Sequence, residues 1–254
     1  MKHVRKFKDE AEYWSFVEGD QFIAPNTCFL DESDHVVYEG YPEESTDPFN
    51  GHEYVDLGLP SGTLWAKCNI GGSSESDYGL YFAWGEVEGY NSSQVGYGDG
   101  QRPFDDSDYK WSEGDWEFDG SSTTKYNSSD SLTTLLPEDD AASVNMGGSW
   151  HMPSKEQYEE LYNSSYTTTT WTTVNGINGK LITSKTNGNT LFLPASGYCS
   201  WGSVSEVGSH GYCWSSSLNT EFPGNAWYLY FSSGFNDVFD SNRYYGHTVR
   251  GVVG

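Results

Sequence analysis

Basic side chains are scarce in this 254-residue chain: 13 Lys and Arg stand against 37 Asp and Glu, a net charge of −24. Lys2, Arg5, Lys6 and Lys8 crowd the N-terminus, so the remainder is poorer still. Binding nucleic acid requires clustered cations that displace counterions, and an anionic membrane surface asks for the same. Both partners are excluded by charge. No run approaches the roughly 18 apolar residues of a membrane-spanning helix, which excludes membrane insertion of that kind. No apolar stretch follows the N-terminal bases as it would in a secretory signal. The expectation is synthesis in the cytoplasm, with any exposure to the outside coming as part of a released particle.

The usual signatures of catalysis and metal binding are missing too. The cysteines, Cys28, Cys68, Cys199 and Cys213, form no C-x-x-C pair, so no zinc site is indicated; one disulfide remains open. There is no G-x-S-x-G turn, and the 6 histidines are scattered. Asp105, Asp106, Asp108, Glu113, Asp115, Glu117 and Asp119 crowd one stretch without the Asp-x-Asp-x-Asp-Gly spacing of a calcium loop. That stretch reads as a solvated acidic loop, and folding should not require calcium. No metal, cofactor or catalytic residue is expected.

What is present is aromatic: 17% Phe, Trp and Tyr, with 29 glycines and a hydrophobic fraction of only 35%. This suits short strands joined by many turns, with large rings doing much of the burying. Residues 1–46 read as a small module, with a helix over 8–18 and a hairpin over 27–38 turning at 31–34. Residues 47–51 read as a linker, and 52–254 as the main domain. There, 53–57 and 63–69 should be strands, and 85–131 a long surface insertion. Helices are expected at 137–145, with Pro137 opening the first turn, and at 154–162, where Ser154 and Gln157 have capping-box spacing. Beyond Trp171 only strands and loops are expected, with strands at 180–184, 190–194, 214–218, 226–231 and 248–253.

Several blocks together resemble one family. They are Tyr54-Val55-Asp56-Leu57-Gly58-Leu59-Pro60-Ser61-Gly62-Thr63-Leu64-Trp65-Ala66, Tyr81-Phe82-Ala83-Trp84-Gly85-Glu86 and Pro137-Glu138-Asp139-Asp140-Ala141-Ala142. Gly148-Ser149-Trp150-His151-Met152-Pro153-Ser154, Leu193-Pro194-Ala195-Ser196-Gly197-Tyr198, Tyr212-Cys213-Trp214-Ser215-Ser216-Ser217 and Val249-Arg250 follow in order. In these blocks the chain resembles the Fibrobacter-succinogenes-type major paralogous domain of gut Bacteroidetes and their phages. The resemblance implies an α+β, C-type-lectin-like fold with two helices, a small twisted antiparallel sheet and a long loop-rich C-terminal region. That fold also occurs in formylglycine-generating enzymes, whose copper-binding cysteines lie four residues apart. Cys199 and Cys213 lie fourteen apart, so that oxidase chemistry is not expected, nor is any other enzyme activity. The Glu-Pro-Asn signature of sugar-binding animal lectins is absent as well.

Some members of the family are variable proteins of diversity-generating retroelements, in which the C-terminal region carries hypervariable ligand-contacting residues. Here 226–232 alternates: Trp227, Leu229 and Phe231 should face the core, and Ala226, Tyr228, Tyr230 and Ser232 should face outward. Tyrosine gives broad contact and a polar tip at small entropic cost, which suits recognition. Phe235, Val238 and Phe239 show no strand or helix period and read as a recognition loop. The candidate ligand-contacting residues are Tyr212, Cys213, Tyr228, Tyr230, Ser232, Phe235, Asn236, Val238, Phe239, Asp240, Ser241, Tyr244, Tyr245 and His247. Trp214, Trp227 and Arg250 are assigned to the scaffold. Adenine replacement in asparagine codons cannot produce Lys, Glu, Gln, Met or Trp, and residues 228–247 contain none of these.

The expected function is a receptor-binding or adhesin-type protein of a phage or prophage, carrying a diversified surface directed at a host-cell surface protein or glycan. The first 46 residues would attach it to other virion proteins. The rivals are a non-variable binder of a surface glycan or protein and, further off, a formylglycine-generating-type oxidase.

Overall fold

A computed structural model describes residues 47–112 and 123–254 in full, and before them the strands β1 (Arg5–Lys6), β2 (Cys28–Leu30) and β3 (Val36–Glu39). The chain divides into two compact units, Met1–Pro48 and Phe49–Gly254. In the first, β2 pairs antiparallel with β3, as the expected hairpin requires, and β1 adds parallel to β2. The helix expected at 8–18 lies outside the described residues.

The second unit is mixed α+β, built from two short helices and several small sheets. Its strands are β4 (Tyr54–Asp56), β5 (Leu64–Ala66), β6 (Tyr81–Phe82), β7 (Thr167–Val174), β8 (Ile177–Ser184), β9 (Thr190–Pro194), β10 (Tyr198–Ser200) and β11 (Ser203–Ser205). β12 (His210–Leu218), β13 (Asn225–Ser232), β14 (Asn236–Asn242), β15 (His247–Thr248) and β16 (Val252–Val253) follow. The largest sheet runs β14-β13-β12-β15-β6; smaller ones run β16-β5-β4 and β7-β8-β9, and β10 pairs with β11.

Two expected elements are broken. The helix expected over 137–145 is a 3-10 turn at Pro137–Asp139 followed by α1 (Ala141–Met146). Asp140 interrupts them in extended conformation, its buried carboxylate accepting from the amides of Ala142, Ser143 and Met152. The strand expected over 248–253 divides between two sheets: Thr248 pairs with Cys213, Val252 with Trp65. Between them Arg250 is fully buried; it donates to Asn69 Oδ1 at 2.8 Å and to the carbonyls of Ala66 and Phe192 at 3.0 and 3.2 Å. Helix α2 (Lys155–Leu161) starts as expected, with Ser154 and Gln157 forming a reciprocal cap.

The 85–131 segment is not simply a surface insertion. Phe104 and Tyr109 are buried in a cluster with Tyr81, Cys199 and Tyr244, and Tyr126 is buried beside Trp84. The buried guanidinium of Arg243 draws this segment inward: its Nε donates to the Tyr109 hydroxyl at 2.9 Å, and its Nη2 to the Lys125 carbonyl at 3.1 Å. Nor do Phe49 and Asn50 act as linker. The Phe49 ring stacks on Tyr54 at 4.2 Å, and Asn50 donates to the Met146 carbonyl at 2.7 Å. Among the described residues, no helix is long and apolar enough to cross a membrane.

Candidate recognition face

Strands β12, β13 and β14 set the face by register. Directly opposite residues of an antiparallel pair share a side of the sheet. Tyr212 lies opposite Tyr230, and Trp214 opposite Tyr228. On the far side of β13, Phe239 lies opposite Tyr228, and Asp237 opposite Tyr230. His210, Tyr212, Trp214, Tyr228, Tyr230, Asp237 and Phe239 therefore share one side. The other side, with Cys213, Leu229 and Phe231, packs into a core with Leu191, Leu193 and Tyr158.

The rings of the first side form a connected array. Tyr212 stacks on Tyr228 at 5.6 Å and meets Tyr230 at 5.3 Å. Tyr230 touches Phe235 and Phe239 at 6.1 and 5.9 Å, and those two stack at 6.0 Å. At its inner end His247 stacks on Trp214 at 4.0 Å and meets Tyr228 at 4.7 Å. Exposure grades along the array, from 0% at Trp214 and 1% at His247, through half-buried Tyr228 and Tyr230, to 41% at Phe239 and 47% at Phe235. The buried inner rings pack against the outer ones.

Electrostatically the face carries the carboxylates of Glu206 and Asp237 beside phenols held in their neutral form. The Tyr212 hydroxyl donates to the Glu206 carboxylate, which also stands 3.3 Å from His210 Nδ1. Burial, then that hydrogen bond, push the Tyr212 phenol up, and burial does the same for Tyr228. Burial drives the His247 imidazole well below its ordinary value of 6.5, and its Nδ1 finds no partner among the described residues.

The structure brings together part of the expected set. Tyr212, Tyr228, Tyr230, Phe235 and Phe239 converge in the array, with Ser232 and Ser241 half-buried on the same side. Asn236, Val238 and Asp240 belong to the opposite side: Asn236 and Val238 border a cleft of about 240 Å³ with Tyr158, Glu159 and Tyr162, and Asp240 accepts from Asn225 at 2.8 Å. Cys213, Tyr244 and His247 are buried, while Tyr245 is half-buried against Tyr198 and Tyr244.

Three expectations need correction. Residues 236–242 are a strand, β14, rather than an aperiodic loop. Its ladder with β13 sends Phe239 one way and Val238 the other. Trp227 is not core: half-buried, it carries the Lys155 ammonium 3.6 Å above its ring. Ala226, expected outward, is fully buried beside Trp214. Sequence reasoning missed His210, Tyr198 and Asp237; the alternation His210, Tyr212, Trp214 was the signal for the first.

Burial raises the thiols of Cys199 and Cys213, away from the nucleophilic thiolate. Cys68, Cys199 and Cys213 are free. Among the described residues, no group of three or more His, Cys, Asp or Glu could hold a metal ion. The acidic stretch is only partly a solvated loop. Asp105 and Asp106 are buried, and Asp108 pairs with Arg102, which also pairs with Glu86. Its residues 113–119 lie outside the described ones. Comparison with known proteins finds no matching family model, no matching curated protein and no matching solved structure.

Proposed function

We propose that this chain is a binding protein whose recognition surface is the aromatic side of β12, β13 and β14. The observation that carries the reading is the graded ring array, buried at Trp214 and His247 and open at Phe235 and Phe239. Exposed aromatics anchored on a rigid sheet offer large contact area at little entropic cost. The raised thiols of Cys199 and Cys213 favour binding over an oxidase reading.

We further propose a C-type-lectin-like fold and membership in the Fibrobacter-succinogenes-type group, with a receptor-binding or adhesin role on a phage or prophage. The blocks that carry the resemblance supply Trp65, Trp84, Trp150, Trp214 and Arg250, all among the largest fully buried side chains. A buried scaffold beneath an open aromatic face suits a diversified protein. The partner would be a host-cell surface protein or glycan.

Binding to intact bacterial cells, read by flow cytometry of the labelled chain, tests the reading. A Tyr228→Ala, Tyr230→Ala, Phe239→Ala triple variant should lose cell binding, each anchor contributing about 1–2 kcal/mol. Equal binding by wild type and a still-folded triple variant contradicts the assignment of this face.

A further inference from the structure

Trp201 sits where its side chain is ill suited. It and Gly202 form the two-residue turn between β10 and β11, with φ of 48° and 69°. Tight hairpins of this hand place Asn, Asp or Gly at such positive-φ positions. A bulky residue there is a genuine outlier, and such strain is concentrated at functional sites. Packing does not account for it, because the indole is 52% exposed.

The surroundings are fixed and acidic. Trp201 and Gly202 amides donate to the carbonyls of Phe104 and Pro103 at 3.4 and 2.7 Å, which pins the tip onto the segment that leads into Asp105 and Asp106. The Tyr97 ring, 67% exposed, lies against Gly202, and the indole meets the edge of Tyr244 at 6.2 Å. Burial, then Tyr245, Asp106 and Asp105, push the Tyr244 phenol up to about 12. Asp106 is only 6% exposed and makes no hydrogen bond or ion pair among the described residues. The neighbouring cation, Arg102, is held by Glu86 and Asp108 at 2.7 and 2.5 Å. From Trp201 to Gly254 the Lys and Arg residues are Arg243 and Arg250, both fully buried.

We propose that the Trp201 turn, with Tyr97 and Asp106, is a second recognition patch that takes the guanidinium or ammonium group of a basic segment on a protein partner. The indole face attracts a cation more strongly than any other aromatic side chain. Among the described residues, Asp106 has no hydrogen-bond or ion-pair partner, and no free Lys or Arg next to it competes. An anionic glycan or phosphorylated segment would meet uncompensated carboxylates. A neutral sugar could stack on the indole but would gain nothing from the charge of Asp106. The patch lies beyond Tyr198 and Tyr245 from the β12–β14 face and does not depend on that assignment.

The test titrates the full chain at low salt with N-acetyl-arginine methylamide and with its citrulline counterpart, which keeps the shape and lacks the charge. The readout is the Trp201 indole N–H resonance, assigned by its disappearance in Trp201→Asn. The arginine compound should shift that resonance at roughly fivefold lower concentration than the citrulline compound. Asp106→Asn should abolish the difference, and Glu156→Gln, on α2, should leave it unchanged. Trp201→Asn places a favoured residue in the turn and should melt no lower than wild type, which separates loss of the patch from loss of the fold. Equal responses to the two compounds overturn the proposal. So does a shift with methyl glucoside alone, a difference that survives Asp106→Asn, or a silent indole at tens of millimolar arginine compound.

Discussion

Tyr228 and Tyr230 differ from their neighbour Leu229 in what a truncation removes. Leu229 is fully buried, so Leu229→Ala should cost about 2–5 kcal/mol through lost burial and a cavity. The two tyrosines are half-buried, and Tyr230→Ala should cost no more than about 1 kcal/mol in a chemical melt. Trp227→Ala belongs with the second group. Its lost contact is the Lys155 ammonium, a loss of roughly 1 kcal/mol rather than a core cavity. His247 gives the molecule an acid sensitivity. Burial holds its folded-state value below 6.5, so the unfolded chain binds the extra proton first. Stability from this residue is fully present above pH 6.5 and is lost as pH falls toward the folded value, at up to about 1.4 kcal/mol per pH unit. His247→Phe should flatten that slope in melts between pH 7 and 5; an unchanged slope would mean the imidazole is not held neutral.

At the scale of elements, legibility followed how local the signal was. The α2 cap needs only Ser154 and Gln157, three residues apart, and it formed as read. Ser154→Ala should lower stability by about 1 kcal/mol with the β12–β14 face intact, checked by melting and by binding in parallel. β13 was legible because Leu229 and Phe231 alternate with the tyrosines. β14 was not, because its pattern of Asn, Asp and Ser carries little apolar contrast, and only pairing with β13 assigns its sides. The same holds for Trp227: alternation fixes its side of the sheet, whereas its cover, Lys155, comes from a distant element. The buried part of 85–131 escaped notice for a related reason. Its polar composition hides Phe104, Tyr109 and Tyr126, whose partners come more than 90 residues later: Cys199 packs with Phe104, and Arg243 bonds to Tyr109 and Tyr126.

Across the whole molecule, two buried arginines hold together segments far apart in the chain. Arg250 joins the carbonyls of β5 and β9, so Arg250→Met leaves several buried acceptors without a donor and should lower stability by about 3 kcal/mol or more in urea melts. A loss under about 1 kcal/mol would show that the site relaxes around the change. If a fixed scaffold presents a replaceable face, many copies of this gene sequenced from its native population should carry the pattern. Amino-acid differences should concentrate at Tyr212, Tyr228, Tyr230, Phe235, Asp237 and Phe239, with Trp214, Leu229, Phe231 and Arg250 constant. Differences spread evenly along the chain, or falling on the buried residues as often as on the face, would contradict it.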